Sequence, residues 1–89
     1  MNPIVRGESA AFPLSDLKLG HAAVVKHFTL PDADANRLMQ LGFLPGSTVT
    51  YRQRSPFGDP SVYHVEGTDV ALRRETAEQV YVARTGASE

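Results

Sequence analysis

No cysteine and no tryptophan occur among the 89 residues, and aromatic surface comes from only four Phe and three Tyr. Without cysteine, neither a disulfide nor a thiolate-bound metal can hold the fold together, which fits a reducing, cytosolic setting. Neither sign of charge dominates: nine Lys and Arg stand against ten Asp and Glu, a formal net charge of −1. A domain that held nucleic acid by bulk phosphate attraction would be strongly basic, so no nucleic-acid partner is expected. Long apolar runs are missing as well, far short of the roughly 20 residues that span a bilayer, and no direct membrane insertion is expected. The opening MNPIVRGESAAFPLSD lacks the basic start and apolar stretch of a secretory signal. Catalytic signatures are absent too. There is no GxxxxGKS phosphate loop, no HExxH pair and no strained nucleophile turn, so the chain reads as a non-enzyme.

What is present is a series of short strands punctuated by glycine and proline. A chain of this length forms one small domain, burying roughly 60–65% of its unfolded surface. Residues 1–12 and 85–89 read as flexible ends around a domain at 13–84. Leu14, Leu17 and Leu19 anchor a first segment closed by Gly20, and His21 to Phe28 reads as a strand of unsettled phase. LPDADANRLMQLG then predicts a helix capped by Asp32 or Asp34, with Ala35, Leu38, Met39 and Leu41 on one apolar stripe. Gly42 terminates it, Phe43 packs back on Leu38, and Pro45-Gly46 turns the chain. TVTYRQR alternates as a half-buried strand, and SPFGDP, with Gly58, Asp59 and Pro60, forces a second turn. SVYHV and TDVAL form a strand pair around Glu66-Gly67, RETAE makes a single helical turn, and QVYVAR is the last strand. About five strands and one helix, lying between the first and second of them, predict a mainly β fold: a small, partly open, SH3-like β-barrel.

Three sets of residues are candidates for function. His64 and Glu66, two apart in a strand, together with His21, are the types that bind a divalent ion, although most surface histidines do no such thing. Arg52, Arg54, Arg73 and Arg74 either form a solvated face balanced by Asp69, Glu75 and Glu78 or steer an acidic partner. Met39, Leu44 and Phe57 form an adaptable apolar patch if Met39 is exposed rather than buried. No resident cofactor is expected beyond such a metal.

RLMQLGFLPGSTV followed by RSPFGDPSVYHVEGTDVALRRETAEQVYV resembles the FeoA family, the small cytosolic component of bacterial ferrous iron uptake. The motif pieces are Arg37-Leu38, Leu41-Gly42, Pro45-Gly46, Pro56, Gly58-Asp59-Pro60 and Val70-Ala71-Leu72-Arg73, in that order, and the resemblance spans about Leu14 to Val82. Ser61 and the Thr68-Asp69 pair are more polar than the family pattern at those positions. The resemblance implies an SH3-like barrel that serves as a cytoplasmic accessory at the inner face of the membrane. Its implied partner is FeoB, a ferrous iron permease with a GTP-binding domain. Arg37, Met39, Leu44 and Phe57, with Arg52 and Arg54, are the expected contact residues, on a face built by the helix and the SPFGDP loop. The chain is expected to act as a monomer or weak homodimer. The alternatives are a general SH3-like interaction module or a metal-sensing domain.

Overall fold

The computed structural model describes residues 10–85. Along the chain run β1 (Phe12–Pro13), a 3₁₀ turn (Leu14–Asp16), β2 (Ala22–Phe28), α1 (Asp32–Gln40), β3 (Thr48–Arg54), β4 (Ser61–Val65), β5 (Thr68–Leu72), α2 (Arg74–Ala77) and β6 (Val80–Arg84). The strands pair antiparallel in one sheet of order β1-β6-β2-β3-β4-β5. Alternation along each strand sends one set of side chains to a common interior: Ala23 and Val25, Val49 and Tyr51, Tyr63 and Val65, Val70 and Leu72, Val80 and Val82. The phase left open in β2 is thereby settled, with Val25 inside and Val24 half-buried.

Six strands form among the described residues, against about five expected, because Phe12 and Pro13 pair with Val82 and Tyr81 of β6. Among the described residues the first strand therefore begins one residue before position 13, and α1 follows the second strand rather than the first. Residues 1–9 and 86–89, which hold most of the segments expected to be flexible, lie outside the described residues. Two register shifts bend the sheet, between Val25 and His27 against β6 and between Tyr51 and Gln53 against β4. Bulges of this kind sharpen strand twist, which lets a sheet of short strands curl about one core.

α1 buries Ala35 and Leu38, leaves Met39 half-buried and leaves Leu41 at 41% exposure. The expected apolar stripe is thus corrected at Leu41, which does not join the core. It is the residue at which the helix ends (φ −86°, ψ −5°), and the chain turns away at Gly42 (φ +111°). Phe43 takes the interior place instead: it is fully buried, and its N–H donates to the Leu38 carbonyl at 3.0 Å. The acidic caps are corrected too. Pro31 occupies the capping position, its carbonyl accepting from the Ala35 N–H, and neither Asp32 nor Asp34 makes a side-chain capping bond. Both still sit in the first turn, where the helix dipole favours them.

Candidate functional site

The expected contact face divides into two. Arg37 and Met39 lie in the last turn of α1 and Gly42, Leu44, Pro45 and Gly46 follow its end, with Gly42 beside the Glu66-Gly67 turn. Gly42 stands so close to that turn that an added Cβ would meet the Glu66 Cβ at 3.0 Å. Arg37 is drawn to Asp34 at 3.6 Å along the helix. Arg54 ends β3 and Phe57, Gly58, Asp59 and Pro60 lie beyond it, at the far end of that seven-residue strand, about 20 Å away at ordinary strand rise. Met39, Leu44 and Phe57 therefore do not form one patch. Leu44 (46% exposed) belongs to the α1 end and Phe57 (94% exposed) to the loop end.

The loop end holds a cleft of about 440 Å³ between the 3₁₀ turn, the end of β3, the start of β4 and α2. Lys18, Arg54 and Arg74 reach it from three separate parts of the chain, and Tyr51, Ser61 and Tyr63 also line it. The tyrosine rings lie 5.1 Å apart, tilted by 33°, and the Tyr51 hydroxyl shares a 3.1 Å hydrogen bond with Ser61 Oγ. The loop is fastened to α2 by Asp59, whose Oδ1 accepts the Arg74 N–H at 2.9 Å. Gly58 takes φ +85° to make the bend possible. Leu19, expected among the anchoring leucines, is instead half exposed at the cleft, while Leu14 and Leu17 are buried.

The two tyrosines feel opposite environments. The Ser61 hydrogen bond lowers the Tyr51 phenol below its ordinary 10.0, burial works against this, and the Arg54 and Arg74 guanidinium groups lower it further. Burial chiefly raises Tyr63 above 10.0. Tyrosinate absorbance, compared with Tyr51→Phe and Tyr63→Phe, should show Tyr51 ionising below pH 10 and Tyr63 above it. The stability consequences have opposite signs. The Tyr51 contribution is complete above pH 10 and is lost as pH falls through its lowered pKa. The contribution from Tyr63 is complete below pH 10 and is lost as pH rises through its raised pKa. Coincident titration of the two would contradict the geometry.

The predicted metal ligands do not converge. His64 Nδ1 lies 2.7 Å from Asp69 Oδ1, an oxygen that Arg52 Nε also approaches at 3.9 Å. Glu66 lies past the end of β4 at φ +51°, so the strand alternation that placed it beside His64 stops short of it. His21 lines a different, smaller cleft of about 270 Å³ with Asp16, Lys18 and Arg84. Among the described residues no three His, Asp or Glu side chains are grouped to hold a metal ion. The basic residues are likewise divided, with Arg52 occupied by Asp69 and Arg54 and Arg74 brought to one cleft. Lys18 and Tyr63 were missed as cleft residues. The only signal for Lys18 was LKLG, a charge between leucines that proved to lie on both sides of the surface.

A small antiparallel sheet curled about one core, with its helix inserted after the second strand, is an SH3-like β domain. Its relatives narrow this further. Residues 12–84 match the FeoA domain model, and the chain belongs to the FeoA domain family. FeoA from Chlorobium tepidum, solved by NMR, is similar at 32% identity with a TM-score of 0.81, covering 88% of this chain and 74% of that one. Stenotrophomonas maltophilia FeoA, described as a prokaryotic SH3 domain protein complexed with zinc, is 37% identical with a TM-score of 0.70 over 80% of this chain and 88% of its own. A Porphyromonas gingivalis protein, described as a fusion of Fe(2+) transport protein A and the Fe(2+) transporter FeoB, is 35% identical over 69 residues. That match takes in 78% of this chain but only 8% of the fusion protein's length.

Proposed function

We propose that this domain is a non-enzymatic, cytoplasmic accessory of bacterial ferrous iron uptake that binds the FeoB permease at the inner face of the membrane and regulates it. The observation that carries the reading is the Porphyromonas gingivalis relative, whose description joins the two components in one polypeptide. Tethering raises the effective concentration of two modules to the millimolar range for a short linker, which favours partners whose separate affinity is modest. A binding rather than catalytic role also agrees with the chemistry of the cleft. Ser61, a potential nucleophile, is bonded to a tyrosine hydroxyl rather than to a histidine, and His64 is paired with Asp69 outside the cleft. Among the described residues no helix is long and apolar enough to cross a membrane, so attachment through a partner is the route this reading uses. Cells that lack the domain should take up radiolabelled ferrous iron more slowly, and the wild-type chain should restore the rate. Uptake that is indifferent to the domain would sink the reading.

A further inference from the structure

The distribution of charge around the large cleft does not follow from the composition of the chain. The chain as a whole has a formal charge of −1, yet Lys18, Arg54 and Arg74 line this cleft and no carboxylate among the described residues does so. None of the three joins an ion pair among the described residues, whereas Arg37 and Arg52 do. Asp59, the acid in the loop, accepts the neutral Arg74 backbone N–H and keeps its charge, which helps to raise Tyr63 and offsets only part of the three cations. Exposed cations outside ion pairs among the described residues raise the local positive potential, and the lowered Tyr51 phenol is consistent with it, since Arg54 and Arg74 both act on that group after the Ser61 bond. The rim is apolar as well as basic. Leu19, which lines it, is 50% exposed, and Phe57, next in sequence to the lining Gly58, is 94% exposed.

We propose that this cleft is a docking groove for an acidic, extended segment of a partner protein, with its carboxylates paired to Arg54, Arg74 and Lys18 and its intervening apolar side chains set against Leu19 and Phe57. An extended strand presents successive side chains to opposite sides, so carboxylates and apolar residues can alternate along one such segment. Arginine suits the task because its planar fork pairs with a carboxylate through two parallel hydrogen bonds. A carboxylate neutralised here also offsets the mutual repulsion of three cations, so charge complementarity supplies orientation and association rate as well as affinity. The groove is read from the side chains of this chain alone and does not depend on which protein carries the segment.

The test uses the full chain and a fluorescein-labelled synthetic peptide of alternating glutamate and leucine, alongside the same peptide with glutamine for glutamate. Fluorescence anisotropy at low salt should show saturable binding of the glutamate peptide and at least about tenfold weaker binding of the glutamine peptide. The double variant Arg54→Gln/Arg74→Gln, with an unchanged melting temperature, should bind the glutamate peptide about tenfold or more weakly. Lys26→Gln, an exposed change on β2 outside the groove, should leave it unaltered. Failure of the wild-type chain to bind, equal binding of the two peptides, or a double variant as tight as wild type would each overturn the proposal. So would displacement of the peptide by inorganic phosphate beyond the effect of sodium chloride at equal ionic strength, which would make the cleft a small-anion site.

Discussion

Phe43→Ala is expected to lower the stability of the fold by about 3–5 kcal/mol, the cost of emptying a large buried aromatic site. Phe43 is the largest side chain with no exposed surface, and it sits in the core beside Leu38 and the valines of β2, β3, β4 and β6. Its backbone is fixed as well, by the 3.0 Å bond from its N–H to the Leu38 carbonyl, so the site has little freedom to collapse around a cavity. A chain of 89 residues has a total stability of roughly 5–13 kcal/mol, so the loss is a large fraction of the whole. Urea denaturation should show a midpoint shifted far down with the slope unchanged. Leu44→Ala, one residue further on and 46% exposed, should change stability by no more than about 0.5 kcal/mol. A loss of less than about 1 kcal/mol in the Phe43 variant would mean that the side chain is not the centre of this core.

Gly42→Val should cost more than about 2 kcal/mol, from two separable sources. At φ +111° the backbone lies where side-chain-bearing residues are strained. A Cβ there would also stand 3.0 Å from the Glu66 Cβ, 3.2 Å from its Cγ and 3.6 Å from the Val65 carbonyl oxygen, pressing the end of α1 against the β4–β5 turn. Gly46 separates the sources, because it has φ +96° but nothing within 4 Å of its added Cβ. Gly46→Ala should therefore show the backbone cost alone, about 1–2 kcal/mol. Combining Gly42→Ala with Glu66→Gly should recover the steric part and leave the backbone part, a non-additivity measurable by a double-mutant cycle. Strictly additive losses would mean that Glu66 is free to move aside.

The parts legible in the sequence are those written by local chemistry. Gly42 and Gly46 mark backbone with positive φ, and the alternation of Val49 with Tyr51 and of Tyr63 with Val65 marks strands with one buried face. The parts that were not legible depend on what lies across space. Two residues, Phe12 and Pro13, carry no periodicity, and only the neighbouring edge of β6 makes them a strand. Leu41 has the spacing of a core residue, yet the helix ends on it and Phe43 fills the interior in its place. Spacing along β4 put Glu66 beside His64, but the turn begins first. Arg54 was visible as a surface residue, whereas Lys18 and Leu19 join it at one cleft only through the topology, which ties the segment before β2 to Tyr51 of β3. Function divides in the same way: the family is written in the order of the turns, and the basic cleft is written in the topology.

The proposed association with FeoB is tested most directly by titrating the purified chain onto FeoB from the same organism held in lipid nanodiscs, with and without GTP. Saturable binding in roughly the micromolar range or tighter, weakened by salt because charged groups guide the encounter, is the predicted result. No binding in either nucleotide state, with the chain folded by circular dichroism and FeoB active as a GTPase, would contradict the account.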